Sequence, residues 1–200
     1  MALHFLRTRQ RKYIEPLVVC DYNPIWATNF KLEQQNIHKA IGSLVVSIGH
    51  IGSTSIPGMA AKPIIDIEIL VNDFSQLNQC IQGMDHINYV HKGQCGIEGR
   101  EYFRKLGYHA HMVQVGSDEH LRKKMFLDYL RNNEDARNEY VELKRSLAKK
   151  WFERINGQYH YNLEKTGLIL DILRRAGWDL DNLPPYLIKH RNELKLKSKE

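Results

Sequence analysis

Cysteine is scarce in this chain: Cys20, Cys80 and Cys95 lie far apart, are odd in number and form no CxxC pair. That pattern speaks against a disulfide framework and for reduced thiols in a cytoplasmic setting. No apolar run approaches the ~20 residues of a membrane-spanning helix. The opening residues, MALHFLRTRQRKY, lack the apolar stretch of a secretory signal. Internal repeats and low-complexity linkers are absent as well. What remains is an ordinary globular composition, 42% hydrophobic and 26% charged over 200 residues. A chain of that size buries a core without a disulfide or a structural metal.

Charge is the one global bias, a formal +6. It is unevenly placed. Residues 1–13 carry Arg7, Arg9, Arg11 and Lys12 with no acid, and residues 186–200 carry five Lys or Arg against Glu193 and Glu200. The stretch between them is close to neutral. A nucleic-acid-binding face needs the excess on the folded body, so the pattern predicts two solvated basic tails and argues against nucleic acid as a partner.

Between the tails the sequence predicts one domain over 14–176, with an α/β core over 14–116 and C-terminal helices over 117–176. Residues 14–24 read as an extended segment closed by a turn at Asn23-Pro24. Apolar spacing predicts a helix over 25–42, ended by Gly42. The β-branched runs 44–51 and 63–71 read as strands, separated by the turn chemistry of GSTSIPG. A short helix is expected within 73–84, a strand or hairpin within 87–107, and a strand over 108–115. Ser117 is a natural N-cap, followed by Asp118 and Glu119 in the first turn. Helical periodicity then runs to about residue 176, with Gly177 placed to stop it.

The chemistry concentrates in HIGSTSIPG over 50–58 and IIDIEI over 64–69. Alternation along a strand puts Asp66 and Glu68 on one face, roughly 6–7 Å apart, and Ile65, Ile67, Ile69 and Val71 on the other. Two neighbouring carboxylates repel, and a divalent cation such as Mg²⁺ relieves that repulsion. A Gly-Ser turn lets backbone amides approach phosphate oxygens closely. The same residues also fit an edge strand whose acids face solvent beside Lys62. His109 and His111 share a face of the 108–115 strand, a spacing that either chelates a metal or simply packs. His50 either joins that chemistry or braces the Gly52 turn.

The stretches Tyr22-Asn23-Pro24-Ile25-Trp26, HIGSTSIPGMAAKPIIDIEILV over 50–71, Tyr102-Phe103-Arg104-Lys105, His109-Ala110-His111 and Tyr140-Val141-Glu142-Leu143-Lys144 together resemble the GrpB family of the nucleotidyltransferase-like superfamily. The resemblance spans about 14–176. It implies a small mixed β-sheet flanked by helices, followed by a C-terminal helical segment. It further implies that Gly52 and Ser53, with Thr54 and Lys62 nearby, hold nucleotide phosphates, and that Asp66 and Glu68 bind Mg²⁺ or Mn²⁺. The superfamily's usual third acid is missing. His109 and His111 stand on the candidate strand instead, which makes His111 a possible metal ligand and His50, Arg104, Lys105, His109 and Lys165 possible accessory groups.

The function this implies is metal-dependent transfer of a nucleotidyl group from a nucleoside triphosphate to an unknown acceptor. Two alternatives stand beside it: a non-catalytic nucleotide- or partner-binding module, and a metal-dependent hydrolase using Asp66, Glu68 and His111.

Overall fold

A computed structural model describes residues 17–181 and 183–197. The expected basic tail 1–13 lies outside them. The first helix, α1 (Ile25–Ile41), follows the Asn23-Pro24 turn, where the Asn23 side chain accepts a hydrogen bond from the Ile25 amide at 3.0 Å. After a short 3-10 turn the chain forms β1 (Ser47–Ile51), then a second 3-10 turn (Ser53–Ser55), then β2 (Ile65–Val71). Next come α2 (Leu77–His86), β3 (Val90–His91), β4 (Arg100–Lys105) and β5 (Tyr108–Gln114).

The five strands form one sheet in the order β1-β2-β5-β4-β3. Only β2 and β5 pair in parallel, joined by the crossover through α2 and the β3–β4 hairpin. The resulting small mixed sheet flanked by helices is the architecture expected of a nucleotidyltransferase-like core. Because β2 is bonded on both sides, the edge-strand alternative for Asp66 and Glu68 does not hold.

Alternation then sorts the two faces. Ile65, Ile67, Ile69 and Val71 of β2 join Phe103, Ala110 and Met112 from the neighbouring strands. They bury against Ile37 and Ile41 of α1 and Cys80 and Met84 of α2. The opposite face is polar: the β2–β5 and β5–β4 registers set Asp66 beside His109 beside Arg104, and Glu68 beside His111 beside Tyr102.

Three helices cover that polar face: α3 (Asp118–Asn132), α4 (Glu134–Trp151) and α5 (Gly157–Arg175). The 118–176 stretch is thus broken at Asn133 and again at 152–156, where Glu153 and Asn156 take positive φ. Ser117 caps α3 by accepting from the His120 amide. At the end of α5, Gly177 (φ +92°) and Trp178 close a Schellman turn onto Arg174 and Leu173.

One expectation is corrected. Residues 186–200, read from their charge as a basic tail, instead form a helix over most of their length, α6 (Pro185–Lys197). Leu187 and the preceding Leu183 bury against Leu170 of α5, so apolar packing outweighs the local excess of charge. Among the described residues no helix is long and apolar enough to cross a membrane, and all three cysteines are free.

Candidate functional site

A cavity of about 520 Å³ lies between the polar face of the sheet and α3, α4 and α5. Its floor begins at Gly52, whose φ of +69° turns the chain from β1 into the Ser53–Ser55 turn. That turn is braced from several sides. Ser55 Oγ donates to the Gly52 carbonyl at 2.7 Å and accepts from Arg131 of α3 at 3.3 Å. Thr54 Oγ1 donates to the Ile64 carbonyl and lies 3.0 Å from His50 Nε2. His50 also stacks on Phe30 and does not line the cavity. Burial takes its pKa down to about 4, against an opposing pull from Asp66. His50 is therefore a neutral brace for the turn.

Asp66 faces the cavity with Oδ1 at 3.6 Å from both His109 Nδ1 and His111 Nε2. These are close polar contacts, longer than good hydrogen bonds. Burial alone would raise the Asp66 carboxyl. The two imidazoles outweigh it and hold the group well below the usual carboxylate range. For His111, burial first and Lys123 second push the pKa down to about 4, so the ring is neutral at neutral pH beside an ionised Asp66. Arg100 Nη1 lies 3.4 Å from His111 Nδ1, behind the ring.

Glu68 is arranged differently. It is only 7% exposed and does not line the cavity. His120 of α3 sits 3.0 Å from Oε2, while Oε1 is buried with no hydrogen-bond partner. Same-face alternation is therefore right, yet the two carboxylates do not open together onto the cavity. The residues present do not fit a two-carboxylate Mg²⁺ site. What faces the cavity is one carboxylate with two imidazoles. Among the described residues no group of three His, Cys, Asp or Glu side chains is placed to hold a metal ion, so Asp66, Glu68 and His111 do not assemble as a ligand trio.

Cations dominate the remaining walls. Lys62 reaches Gln158 Oε1 at 3.2 Å, and Arg104 lines the cavity from β4. Lys105, next along the strand, points to the other face of the sheet and pairs with Glu33 of α1 at 2.9 Å. Lys165 of α5 sits 4.3 Å above the Tyr161 ring. Lys144 of α4 is buried. It donates to Ser53 Oγ at 3.0 Å and to the Ala60 carbonyl. Burial lowers both ammonium groups to about 7, helped by Arg145 at Lys144 and by Lys62 and Lys144 at Lys165. Arg100 and Lys123 complete the cationic wall, with Asp66 as its one carboxylate.

A family model described as GrpB protein matches residues 16–175. The chain belongs to the GrpB family. It is 41% identical over 139 residues to the UPF0157 protein YqkA of Bacillus subtilis (strain 168), covering 68% of this chain and 40% of that protein. It thus spans two fifths of the length of that relative. A second relative, the UPF0157 protein BH1888 of Halalkalibacterium halodurans, is 28% identical over 167 residues, covering 80% of this chain and 82% of that protein. Among solved structures, the conserved protein GrpB from Enterococcus faecalis superposes with a TM-score of 0.71 at 31% identity, over 79% of this chain and 98% of that one. The site built from Gly52, Asp66, Lys144 and Lys165 lies wholly within the GrpB match.

Proposed function

We propose that the cavity binds the phosphates of a nucleoside triphosphate and that the chain transfers the nucleotidyl group to an acceptor hydroxyl. The observation that carries this reading is the pair Lys144 and Lys165. Lys144 is buried against Ser53 of the turn, Lys165 is half-buried on the same cavity wall, and neither has an ion-pair partner among the described residues. An uncompensated cation withdrawn from water is costly, and a polyphosphate is the ligand that offsets two of them. Lys62 and Arg104 widen the same positive wall.

In the transfer step an acceptor hydroxyl oxygen forms a bond to the α-phosphorus. The bond from that phosphorus to the bridging oxygen breaks, pyrophosphate leaves, and the hydroxyl proton passes to water. Catalysis of this kind is mostly positioning and charge stabilisation, which fixed lysines and arginines supply. Asp66, kept ionised, orients the acceptor by accepting its hydroxyl hydrogen bond. Glu68, held by His120, takes no part. Its withdrawal favours a second reading, a nucleotide-binding module without transfer.

Calorimetric titration with ATP, GTP, CTP and UTP, with Mg²⁺, Mn²⁺ or chelator present, tests both. Lys144→Met should weaken binding tenfold or more. Asp66→Ala should keep the triphosphate bound and abolish pyrophosphate release. Failure of every triphosphate to bind would sink the reading. Binding without pyrophosphate release across an acceptor screen would select the module.

A further inference from the structure

A second cavity, of about 730 Å³, lies beside the first. Arg100, Lys123, Phe126, Asn162 and Lys165 line both, so the two adjoin along these side chains. Its roof is α6, which follows the segment matched by the family model. Three contacts seat that roof. The Tyr186 hydroxyl accepts from Arg122 Nη2 at 2.9 Å, His190 Nδ1 meets Thr166 Oγ1 at 3.2 Å, and Leu187 packs on Leu170.

The charge in this chamber is unbalanced. Glu119 is the carboxylate on its wall and is already shared: Arg122 is hydrogen-bonded to it and Lys123 Nζ lies 3.1 Å away. Arg100 is only 8% exposed and donates to two backbone carbonyls, Gln94 and Cys95, with no carboxylate against it. Arg100 Nε is buried without a hydrogen-bond acceptor. Lys189 and His190 add further basic groups from the roof. Two cations share one carboxylate and a third has none, in a space of ligand size, and that imbalance calls for an anion.

We infer that this chamber binds the acceptor, and that the acceptor is a small phosphorylated molecule bearing a hydroxyl. Its phosphate lies against Arg100, Lys123 and Lys189, and its hydroxyl extends past the shared side chains to Asp66 in the first cavity. This rests on the reading of the first cavity as the triphosphate site. Arg100 and Lys123 then serve both anions, and α6 selects which small molecule enters.

The probe is glycerol 3-phosphate, titrated calorimetrically into the full chain alone and after saturation with ATP, with glycerol and inorganic phosphate as controls. Glycerol 3-phosphate should bind in both cases, inorganic phosphate more weakly, and glycerol not at all. Lys189→Glu and Tyr186→Ala, which line the second chamber and not the first, should lower its affinity fivefold or more while ATP affinity stays within twofold. Circular dichroism of both variants checks that they remain folded. Displacement of glycerol 3-phosphate by ATP, or equal binding by Lys189→Glu, would overturn the acceptor chamber and leave the triphosphate reading standing. Failure of ATP to bind while glycerol 3-phosphate binds would remove the first reading and leave a lone phosphate chamber.

Discussion

A Cβ added to Gly52 would stand 2.5 Å from Asp66 Oδ2 and 3.0 Å from Asp66 Cβ. The backbone of the turn and the carboxylate of the neighbouring strand are thus in direct register, with no room for a side chain between them. The positive φ of Gly52 adds a second demand for glycine at the same position.

Gly52→Ala should therefore cost about 1–3 kcal/mol in stability from backbone strain and displacement of Asp66. Thermal unfolding would show it as a drop of about 2–4 °C for each kcal/mol in a chain of this size. Triphosphate binding should fall further than the stability loss explains, because the turn and Asp66 move together.

Lys165→Met removes a half-buried charge with no ion pair among the described residues, so stability should stay level or rise. Calorimetric titration should show triphosphate affinity down tenfold or more. A variant that loses stability and keeps its affinity would contradict the role given to Lys165.

The pH dependence follows from four groups. Lys144 and Lys165 sit at about 7 in the folded chain against an ordinary 10.5. Between those values the unfolded chain binds more protons, so stability of the unliganded protein rises with pH across that window. His50 and His111, near 4 against 6.5, extend the trend downward: stability falls as pH drops from 6.5 through 4. The urea midpoint should accordingly be higher at about pH 9 than at about pH 6. Triphosphate affinity should run the other way and weaken above about pH 7, as the lysines lose their protons.

Glu68→Gln should leave triphosphate affinity within about threefold, with or without Mg²⁺, because this side chain does not line the cavity. His120→Ala should instead destabilise the fold by about 1–3 kcal/mol, since it strips the remaining partner from a buried carboxylate. Chemical denaturation of the two variants side by side separates these outcomes. A large loss of Mg²⁺-dependent binding in Glu68→Gln would restore the paired-carboxylate metal site.

Much of this was legible in the sequence because it depends on local periodicity. The alternation of β2, the Ser117 cap, the Gly177 stop and the Gly-Ser turn are all set by near neighbours. Alternation also decides between Arg104 and Lys105, which must face opposite ways on β4; only Arg104 reaches the cavity. What could not be read depends on partners distant in sequence. Lys144 looks solvated beside Arg145 until α4 is laid over Ser53 and Ala60. Glu68 looks equivalent to Asp66 until His120 arrives from α3. The α6 segment is rich in Lys and Arg, and its few leucines gain meaning only when Leu170 lies beneath them.

The parallel pairing of β2 with β5 has a kinetic consequence. Ile65 meets Tyr108 across a loop that must close before any residue of one strand touches the other. Such non-local pairing forms slowly compared with helices or hairpins. Asp66 on one strand and His109 and His111 on the other thus come together only once that crossover is complete. That polar face therefore forms late in folding, and the proposed phosphate ligand should engage only molecules in which it is complete. Nucleotide added during refolding would act as a sensor of completion, pulling the equilibrium from its last step and leaving the early helices unaffected.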